Sequence, residues 1–448
     1  MPFYKPEYLF IFLPTALLLY FFSKKIHLNH KYILILLSCF FYSFWNINFL
    51  PLILFSVIVN FFIGGKIIKN KFHKKKLLIF GIIFNLTLLV FFKYLNFFID
   101  TLNFFVEHKI NYLEIPFPLA ISFFTFQTIA FLINCYDNEI TKIKFKDYFL
   151  FIVYFPQLIA GPIVMYKKMI PQFSDQNNLI FNRKNFNLGL IILVIGLTKK
   201  IIFADTLGLF VDQTHNNLEN LNFAYSWLLS LSFTFQFYFD FSGYVDMAIG
   251  SALMFNISLP QNFNSPLKST SIINFWQRWH MTLTSFLTNY LYTPWVKSLK
   301  EITFIKSMLI LFIVFILAGF WHGPSWNFIF FGMFHGIGLI INHVYRQFIS
   351  IKLPKILSWF LTFHYVNLSF VLFRASNIND VINIFYNMFG INYILDNKSL
   401  NLIDTNILGN FLNIKYLIIF SLSFILCFFL QNTNFLIDRA EIEKAKNE

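Results

Sequence analysis

The chain has 448 residues, of which 57% are hydrophobic and only 12% are charged, and its formal net charge is +14. Soluble domains carry about 25% charged residues, and the apolar residues here form blocks long enough to cross a bilayer, which takes about 17–25 residues. The composition therefore excludes an ordinary soluble protein. The positive charge is better explained by lysines in short cytoplasmic loops than by a nucleic-acid surface.

The apolar blocks predict an all-α polytopic membrane protein with about eleven transmembrane helices. The first block, Tyr8–Phe22, is interpreted as a span because it lacks the basic lead-in and small-residue cleavage site of a removable signal. Cys39, Cys135 and Cys427 lie in or beside apolar blocks without metal-ligand spacing, so we expect packing cysteines and no metal site. The predicted spans are 8–23, 32–46, 48–65, 77–97, 117–136, 186–211, 223–241, 306–322, 325–345, 356–373 and 412–430.

The charges in the loops predict an orientation, since lysine and arginine favour the cytoplasmic side. The loops 24–31 and 66–76 are lysine-rich and the turn 46–48 is uncharged, which places the N-terminus outside. The other basic segments, expected inside together with the C-terminal tail, are 138–147, 166–185, 258–300 and 346–355. The segments expected outside are 212–222 and 375–411, the latter with Asp380, Asp396 and Asp404 against Lys398. Lys199 and Lys200 fall inside a predicted span, and the charge pattern does not explain them.

One apolar stretch, 148–165, lies between two basic segments that both favour the cytoplasm. It contains the run Phe155–Pro162, whose prolines and glycine disfavour a continuous helix. Non-helical backbone at membrane depth survives only where protein or a cavity surrounds it. We therefore interpret 148–165 as a re-entrant element; an ordinary span kinked by proline is the alternative.

The first cluster with chemical potential is Gly319–Asn327, at the end of the predicted span 306–322. His322 lies there between a long apolar helix and a Gly-Pro break. Histidine is the side chain best suited to accept a hydroxyl proton near neutral pH, and Gly323 would let a substrate approach the backbone. From the residues alone, a hydrogen-bonded structural histidine is equally compatible with the pattern.

The second cluster is Asn274–Thr282, within a segment, 272–292, that is too polar for a span. The segment is predicted to form an amphipathic interfacial helix on the inner face. Four aromatic residues are expected at the headgroup level: Trp276, Trp279, Tyr290 and Tyr292. For His280 in this cluster, a simple interfacial anchor is the alternative to a functional role.

The third cluster, Phe239–Asp246, places two carboxylates after a phenylalanine-rich span. Unpaired carboxylates there would be unfavourable, so Asp240 and Asp246 are expected to face water or to pair with Arg278 or a lysine. A substrate-lining role is the alternative. The sequence has no paired carboxylates of glycosidase type, no phosphate-binding glycine loop and no zinc spacing.

Taken together, seven stretches occur in an order that resembles the bacterial branch of the membrane-bound O-acyltransferase family. The chain is most similar to alginate and peptidoglycan O-acetyltransferases, and more distantly to the lipoteichoic-acid D-alanylation membrane protein. The resemblance covers about three quarters of the chain and predicts one domain over 1–448, with a signature core near 117–345. The matching stretches are Tyr8–Pro14, Ile121–Gln127, Phe155–Pro162, Phe239–Gly250, Leu259–Phe263, Phe275–His280 and Gly319–Trp326.

The resemblance implies a ring of tilted helices around a thinned centre, with His322 as the family's catalytic histidine and His280 as its second signature histidine. The substrate-channel candidates are Trp321, Asn327, Asp240, Asp246, Trp279, Arg278, Gln127 and Gln157. Two departures are visible: Val245 replaces a more usual serine, and Asn289-Tyr290 stands where similar sequences often have Arg-Asp. The second departure weakens the expectation of a basic contact near 289.

The implied activity is transfer of an acetyl group from a cytoplasmic thioester, acetyl-CoA, to an extracytoplasmic polysaccharide across the bacterial inner membrane. No bound cofactor is expected, and a separate periplasmic acetyltransferase is the expected partner. Peptidoglycan is the favoured acceptor, with alginate or another exopolysaccharide as the alternative. The rival class is a transporter or flippase of envelope precursors, in which the aspartates and the re-entrant element line a path. The absence of an apparent inverted repeat counts against that class.

Overall fold

The computed structural model describes residues 1–23, 25, 27–70, 72–391 and 414–438. Within these ranges the protein is helical and contains no β-strand. Several of the helices are continuous with π-helical or 3₁₀-helical stretches. The predicted all-α fold class is confirmed for this part of the chain.

The described residues form a succession of helices along the chain. They are α1 Glu7–Phe22, α2 His30–Ser43, α3 Ile47–Lys69, α4 Lys74–Asn103, α5 Ile121–Tyr136, α6 Phe145–Val153, α7 Phe155–Leu158, α8 Tyr166–Ser174, α9 Arg183–His215, α10 Phe223–Met254, α11 Ile272–Trp276, α12 Met281–Leu287, α13 Thr293–Lys297, α14 Phe304–His322, α15 Trp326–Phe348, α16 Lys355–Arg374, α17 Ile378–Met388 and α18 Ile414–Phe428. A π-helical stretch, Thr288–Tyr292, joins α12 to α13.

Among the described residues, six helices are long and apolar enough to cross a membrane: α3, α4, α9, α14, α15 and α16. Four shorter apolar helices, α1, α2, α5 and α18, have 10–17 residues each. The predicted multi-pass architecture is confirmed, whereas the count of about eleven spans is not. Some features predicted from the sequence lie outside the described residues. They are residues 412 and 413 of the last predicted span, Lys24, Lys71, Asp396, Lys398, Asp404 and the tail from 439.

By its internal contacts the chain divides into two compact units. The first consists of Met1–Ile195 and Tyr244–Gln261, and the second of Gly196–Gly243 and the residues from Asn262 onward. Each unit is thus built from two separate stretches of sequence. The prediction of a single domain over 1–448 stays a prediction.

The first unit contains the predicted helix break. Helix α6 ends at Val153, Tyr154 adopts a non-helical conformation, and α7 lasts only four residues. The backbone N–H of Phe155 donates to Oγ of Ser38 (3.1 Å), so a side chain replaces the missing helical acceptor. The break is buried among protein side chains, as non-helical backbone at membrane depth requires. The structure confirms the helix break, while the choice between a re-entrant element and a kinked span stays a prediction.

The first unit also contains a buried ion pair. Nζ of Lys31 lies 2.7 Å from a carboxylate oxygen of Asp147 and donates to Oγ of Ser174 (2.8 Å). Lys31 was counted in the lysine-rich loop 24–31, which is expected on the cytoplasmic side. It lies in the first turn of α2 and is buried against Asp147, so it is paired and not exposed, and the side of the membrane on which it lies stays a prediction.

In the second unit, α14 and α15 approach each other closely through glycines. A Cβ atom on Gly319 would lie 2.2 Å from the carbonyl oxygen of Phe328, and one on Gly332 would lie 2.3 Å from the carbonyl oxygen of Phe315. Small residues at such crossings let two membrane helices pack backbone against backbone. The side chain of Ser325 accepts from the N–H of Asn327 and caps α15. This pairing positions the end of α14.

Candidate active site

His322 is the last residue of α14, as the sequence predicted for the end of an apolar helix. The chain then passes through Gly323 and Pro324 and begins α15 at Trp326. The His322 ring is only partly buried. It is therefore held at a helix end while remaining open to a reactant.

Aromatic rings surround His322. Its ring centroid lies 5.0 Å from that of Trp321, 5.3 Å from that of Phe373 and 5.9 Å from that of Phe331. Two of these neighbours, Phe331 on α15 and Phe373 on α16, were not identified from the sequence. Their apolar faces limit the access of water to the imidazole.

His280 lies in the same site. The ring of Trp321 contacts the rings of both histidines, at 6.3 Å from His280 and 5.0 Å from His322. Phe241 contacts His280 from another side at 4.8 Å. His280 is 1% exposed, and burial, with the neighbouring His322 as a second cause, holds the pKa of His280 well below its ordinary value. The two histidines predicted from separate motifs are thus brought together, and His280 is a neutral imidazole.

The backbone around His280 differs from the prediction. The segment 272–292 is not one amphipathic helix: α11 ends at Trp276, and His280 adopts the left-handed region at φ 44° before α12 begins. Non-glycine residues uncommonly adopt this conformation, histidine more often than most, and such conformations cluster at functional sites. The interfacial-anchor alternative for His280 does not fit a fully buried ring.

Asn262 holds this distorted segment. Its Oδ1 atom accepts from the backbone N–H of Thr282 (3.0 Å) and the hydroxyl of Thr282 (2.8 Å), and lies 3.2 Å from Nδ1 of His280. The sequence marked Asn262 only as part of a matching stretch, and this role was missed. The polar Gln261-Asn262 pair between apolar residues was the available signal.

A third histidine, His335 on α15, was also missed. The indole N–H of Trp276 donates to its Nδ1 atom (3.2 Å), so Nε2 carries the hydrogen and donates to Oγ of Ser369 (2.9 Å). The Ser369 hydroxyl donates in turn to the carbonyl oxygen of Val366 (2.6 Å). This chain of hydrogen bonds joins α11, α15 and α16 behind the site.

Trp276 and Trp279 were expected at the headgroup level, and that prediction was wrong because both are buried. Trp279 is stacked on Phe275 at 5.6 Å and contacts Phe263 at 5.1 Å and Phe370 at 5.3 Å. It therefore forms part of the core behind His280.

The remaining residues predicted to line a substrate channel lie in different parts of the structure. The amide of Asn327 donates to the carbonyl oxygen of Ala375 (2.9 Å) and is buried. Arg278 donates from Nη1 to the carbonyl oxygen of Asn264 (3.3 Å) at the surface. The buried side chains of Gln127, Gln157 and Asp246 belong to the first unit, whereas both histidines belong to the second.

Asp240 pairs with a lysine, which is one of the expected alternatives. Nζ of Lys200 lies 2.7 Å from Asp240 and 2.8 Å from Asp205. Lys200 belongs to the π-helical stretch Lys199–Ala204 within α9. The position of this lysine inside a span, which the charge pattern did not explain, follows from its two carboxylate partners. Because α10 extends to Met254, Asp240 and Asp246 lie within a helix and not after it.

The loop that carries Asn262 is bonded to a segment near the end of the chain. Nζ of Lys268 donates to the carbonyl oxygen of Leu430 (2.6 Å), and the Asn434 amide donates to the carbonyl oxygen of Phe263 (2.5 Å). The amide of Asn432 donates to Oδ1 of Asn264 (3.0 Å). We call Leu430–Asn434 the C-terminal clasp.

Comparison with known proteins gives the site its context. The sequence model of the membrane-bound O-acyltransferase (MBOAT) family matches residues 113–378 of this chain. The chain is 43% identical over 422 residues to the peptidoglycan O-acetyltransferase of Helicobacter pylori, covering 86% of this chain and 79% of the relative. It is 34% identical over 388 residues to the probable alginate O-acetylase of Pseudomonas aeruginosa, covering 84% and 73%.

A more distant relative is the teichoic acid D-alanyltransferase of Bacillus subtilis, 27% identical over 279 residues, which cover 57% of this chain and 68% of the relative. The resemblance inferred from the seven stretches is confirmed, and an acyltransferase is favoured over the transporter alternative. The chain belongs to the membrane-bound O-acyltransferase family and is a multi-pass membrane enzyme.

Proposed function

We propose that this enzyme transfers an acetyl group from a cytoplasmic thioester, acetyl-CoA, for O-acetylation of an extracytoplasmic polysaccharide, with peptidoglycan as the acceptor. The observation that carries the proposal is the contact of one ring, Trp321, with both His322 and His280 in an aromatic site. The names of the similar proteins support acetyl as the group and a polysaccharide as the acceptor. The higher identity to a peptidoglycan enzyme favours peptidoglycan over alginate.

In this mechanism His322 is the general base. It accepts the hydroxyl proton while the hydroxyl oxygen attacks the thioester carbonyl carbon. The tetrahedral intermediate then collapses, the carbon–sulfur bond breaks, and the proton on His322 passes to the leaving thiolate. Phe331 and Phe373 would exclude water that otherwise hydrolyses the thioester.

His280 would orient the donor. Its burial and its low pKa support a neutral ring that acts through hydrogen bonding and not through charge. Of two candidates for oxyanion stabilisation, Asn327 is weakened because its amide already donates to Ala375. Trp321 remains the candidate, since its ring contacts both histidines.

We further propose that the N-terminus faces outside and the C-terminus faces the cytoplasm, on the basis of the lysine-rich loops. A periplasmic acetyltransferase would then receive or deliver the acetyl group near the outer end of α14. A cysteine at Asn217 should react with an impermeant thiol reagent in intact cells, and one at Ser298 should not. Labelling at Ser298 would overturn this orientation.

The central test is His322→Ala in the full chain. General-base removal lowers rates by about 10²–10⁴-fold, so wall O-acetylation, measured by mass spectrometry of muropeptides, should nearly disappear. A matched control is His364→Ala, because His364 is a partly exposed histidine on α16 outside the site. Near-normal acetylation by a well-expressed His322→Ala variant would overturn the mechanism. Acetylated alginate with unmodified muropeptides would overturn the choice of acceptor alone.

A further inference from the structure

The loop that carries Asn262 forms backbone hydrogen bonds to residues on both sides of His280. The N–H of Asn264 donates to the carbonyl oxygen of Arg278 (2.9 Å), and the N–H of Met281 donates to the carbonyl oxygen of Asn262 (2.9 Å). These bonds hold His280 in its left-handed conformation. The Asn262 side chain then reaches the imidazole itself.

The orientation of the Asn262 amide follows from chemistry. The backbone N–H of Thr282 can only donate, and it points at Oδ1 of Asn262 (3.0 Å). An amide turned the other way would face this N–H with a second donor. The atom that faces Thr282 is therefore the oxygen.

The same oxygen lies 3.2 Å from Nδ1 of His280. An amide oxygen only accepts, so Nδ1 must carry a hydrogen. In a neutral imidazole the other nitrogen, Nε2, then has the lone pair. Burial keeps the pKa of His280 low, so the neutral form is the one present near pH 7.

We propose that Asn262 is a positioning residue that fixes the His280 ring with its hydrogen on Nδ1, so that Nε2 faces the reactants as a hydrogen-bond acceptor. The inference rests on the proposed function. It gives His280 a defined role, in which Nε2 accepts an N–H or O–H of a reactant and cannot donate to an oxyanion. The fixed tautomer thereby leaves oxyanion stabilisation to other groups.

A second observation supports a functional reason for this arrangement. Nδ2 of Asn262 is buried and has no hydrogen-bond partner among the described residues. A buried amide N–H without a partner and a left-handed histidine are both unfavourable locally. Deviations from favourable local structure of this kind concentrate at functional sites.

The test compares two substitutions of Asn262 in the full-length enzyme. Asn262→Leu removes the acceptor, so kcat for acetyl-CoA consumption by enriched membranes should fall at least tenfold. For comparison, the wrong tautomer of the histidine in a Ser-His-Asp triad lowers kcat about 10⁴-fold. Thr270→Ala, between Asn262 and α11 with an exposed side chain, should change kcat less than twofold.

Asn262→Asp supplies a readout that a purely structural role would not move. A carboxylate keeps the acceptor at Oδ1, so kcat at high pH should recover to within a fewfold of wild type. The anion also favours the protonated imidazole and raises the pKa of His280. Nε2 of His280 and the general base His322 must both be unprotonated, so a carboxylate that lifts the pKa of His280 to that of His322 or above should move the acidic limb of the kcat profile to higher pH and make it steeper.

Wild-type kcat in Asn262→Leu, or an unmoved acidic limb in Asn262→Asp, would overturn the inference while His322→Ala still reports on the proposed function. If Asn262→Leu is lost from the membrane, the Asn262→Asp profile decides alone. A wild-type enzyme that consumes no acetyl-CoA would instead reject the proposed function itself.

Discussion

The indole N–H of Trp276 donates to Nδ1 of His335 across 59 residues of sequence. Trp276 is the last residue of α11, the short helix that precedes His280. His335 on α15 therefore anchors the segment that carries His280. Replacing His335 with leucine would leave the indole N–H buried without its acceptor, at about 1–3 kcal/mol. We expect a lower unfolding temperature in detergent and reduced acetylation. His335→Gln, which keeps an acceptor and a donor, should lose less of both, and equal losses in the two variants would contradict the hydrogen-bond argument.

Lys200 has two carboxylate partners, Asp205 and Asp240. Asp240→Asn alone should therefore be tolerated, because Asp205 still pairs with the lysine and both carboxylates are about half exposed. The double substitution Asp240→Asn and Asp205→Asn would remove both carboxylates from a lysine within a candidate span, where a charged side chain is unfavourable. We expect the double variant to lose more membrane-inserted protein than the two single variants together, as measured by quantitative immunoblotting. Additive small effects would show that the pairing is dispensable.

The contact of α14 with α15 leaves no room for a side chain at Gly332. A Cβ atom there would lie 2.3 Å from a backbone carbonyl oxygen, and backbone cannot move aside as a side-chain end can. Gly332→Ala should therefore displace the end of α14 with His322 and lower both thermal stability and acetylation. The matched control is Gly65→Ala in α3, where the nearest atom to the new Cβ is 3.8 Å away, an ordinary contact. Equal behaviour of the two variants would argue against the close approach.

The structural features that the sequence predicted correctly depend on local signals. A run of apolar residues followed by a Gly-Pro break predicted a membrane span over 306–322, and the observed helix is Phe304–His322. The position of His322 at its end followed directly. The helix break near Tyr154 was predicted in the same way, from prolines and a glycine within one short run.

The parts that the sequence could not predict depend on distant contacts. Asn262 bonds His280 across 18 residues, and no local pattern marks the resulting left-handed turn. A tryptophan-rich polar segment looks the same whether its rings meet headgroups or a protein core, so Trp276 and Trp279 were assigned wrongly. Lys200 looked anomalous in its span because its partner Asp240 comes from another helix.

The C-terminal clasp gives the end of the chain a role beyond the region that the family model matches, which stops at residue 378. Proteolytic cleavage or a premature stop codon just before Leu430 would spare both histidines and the helices from α1 to α18. It would nevertheless remove the hydrogen bonds from Leu430, Asn432 and Asn434 to the loop that carries Asn262. Such a shortened enzyme should still insert into the membrane and yet lose activity as an active-site mutant does.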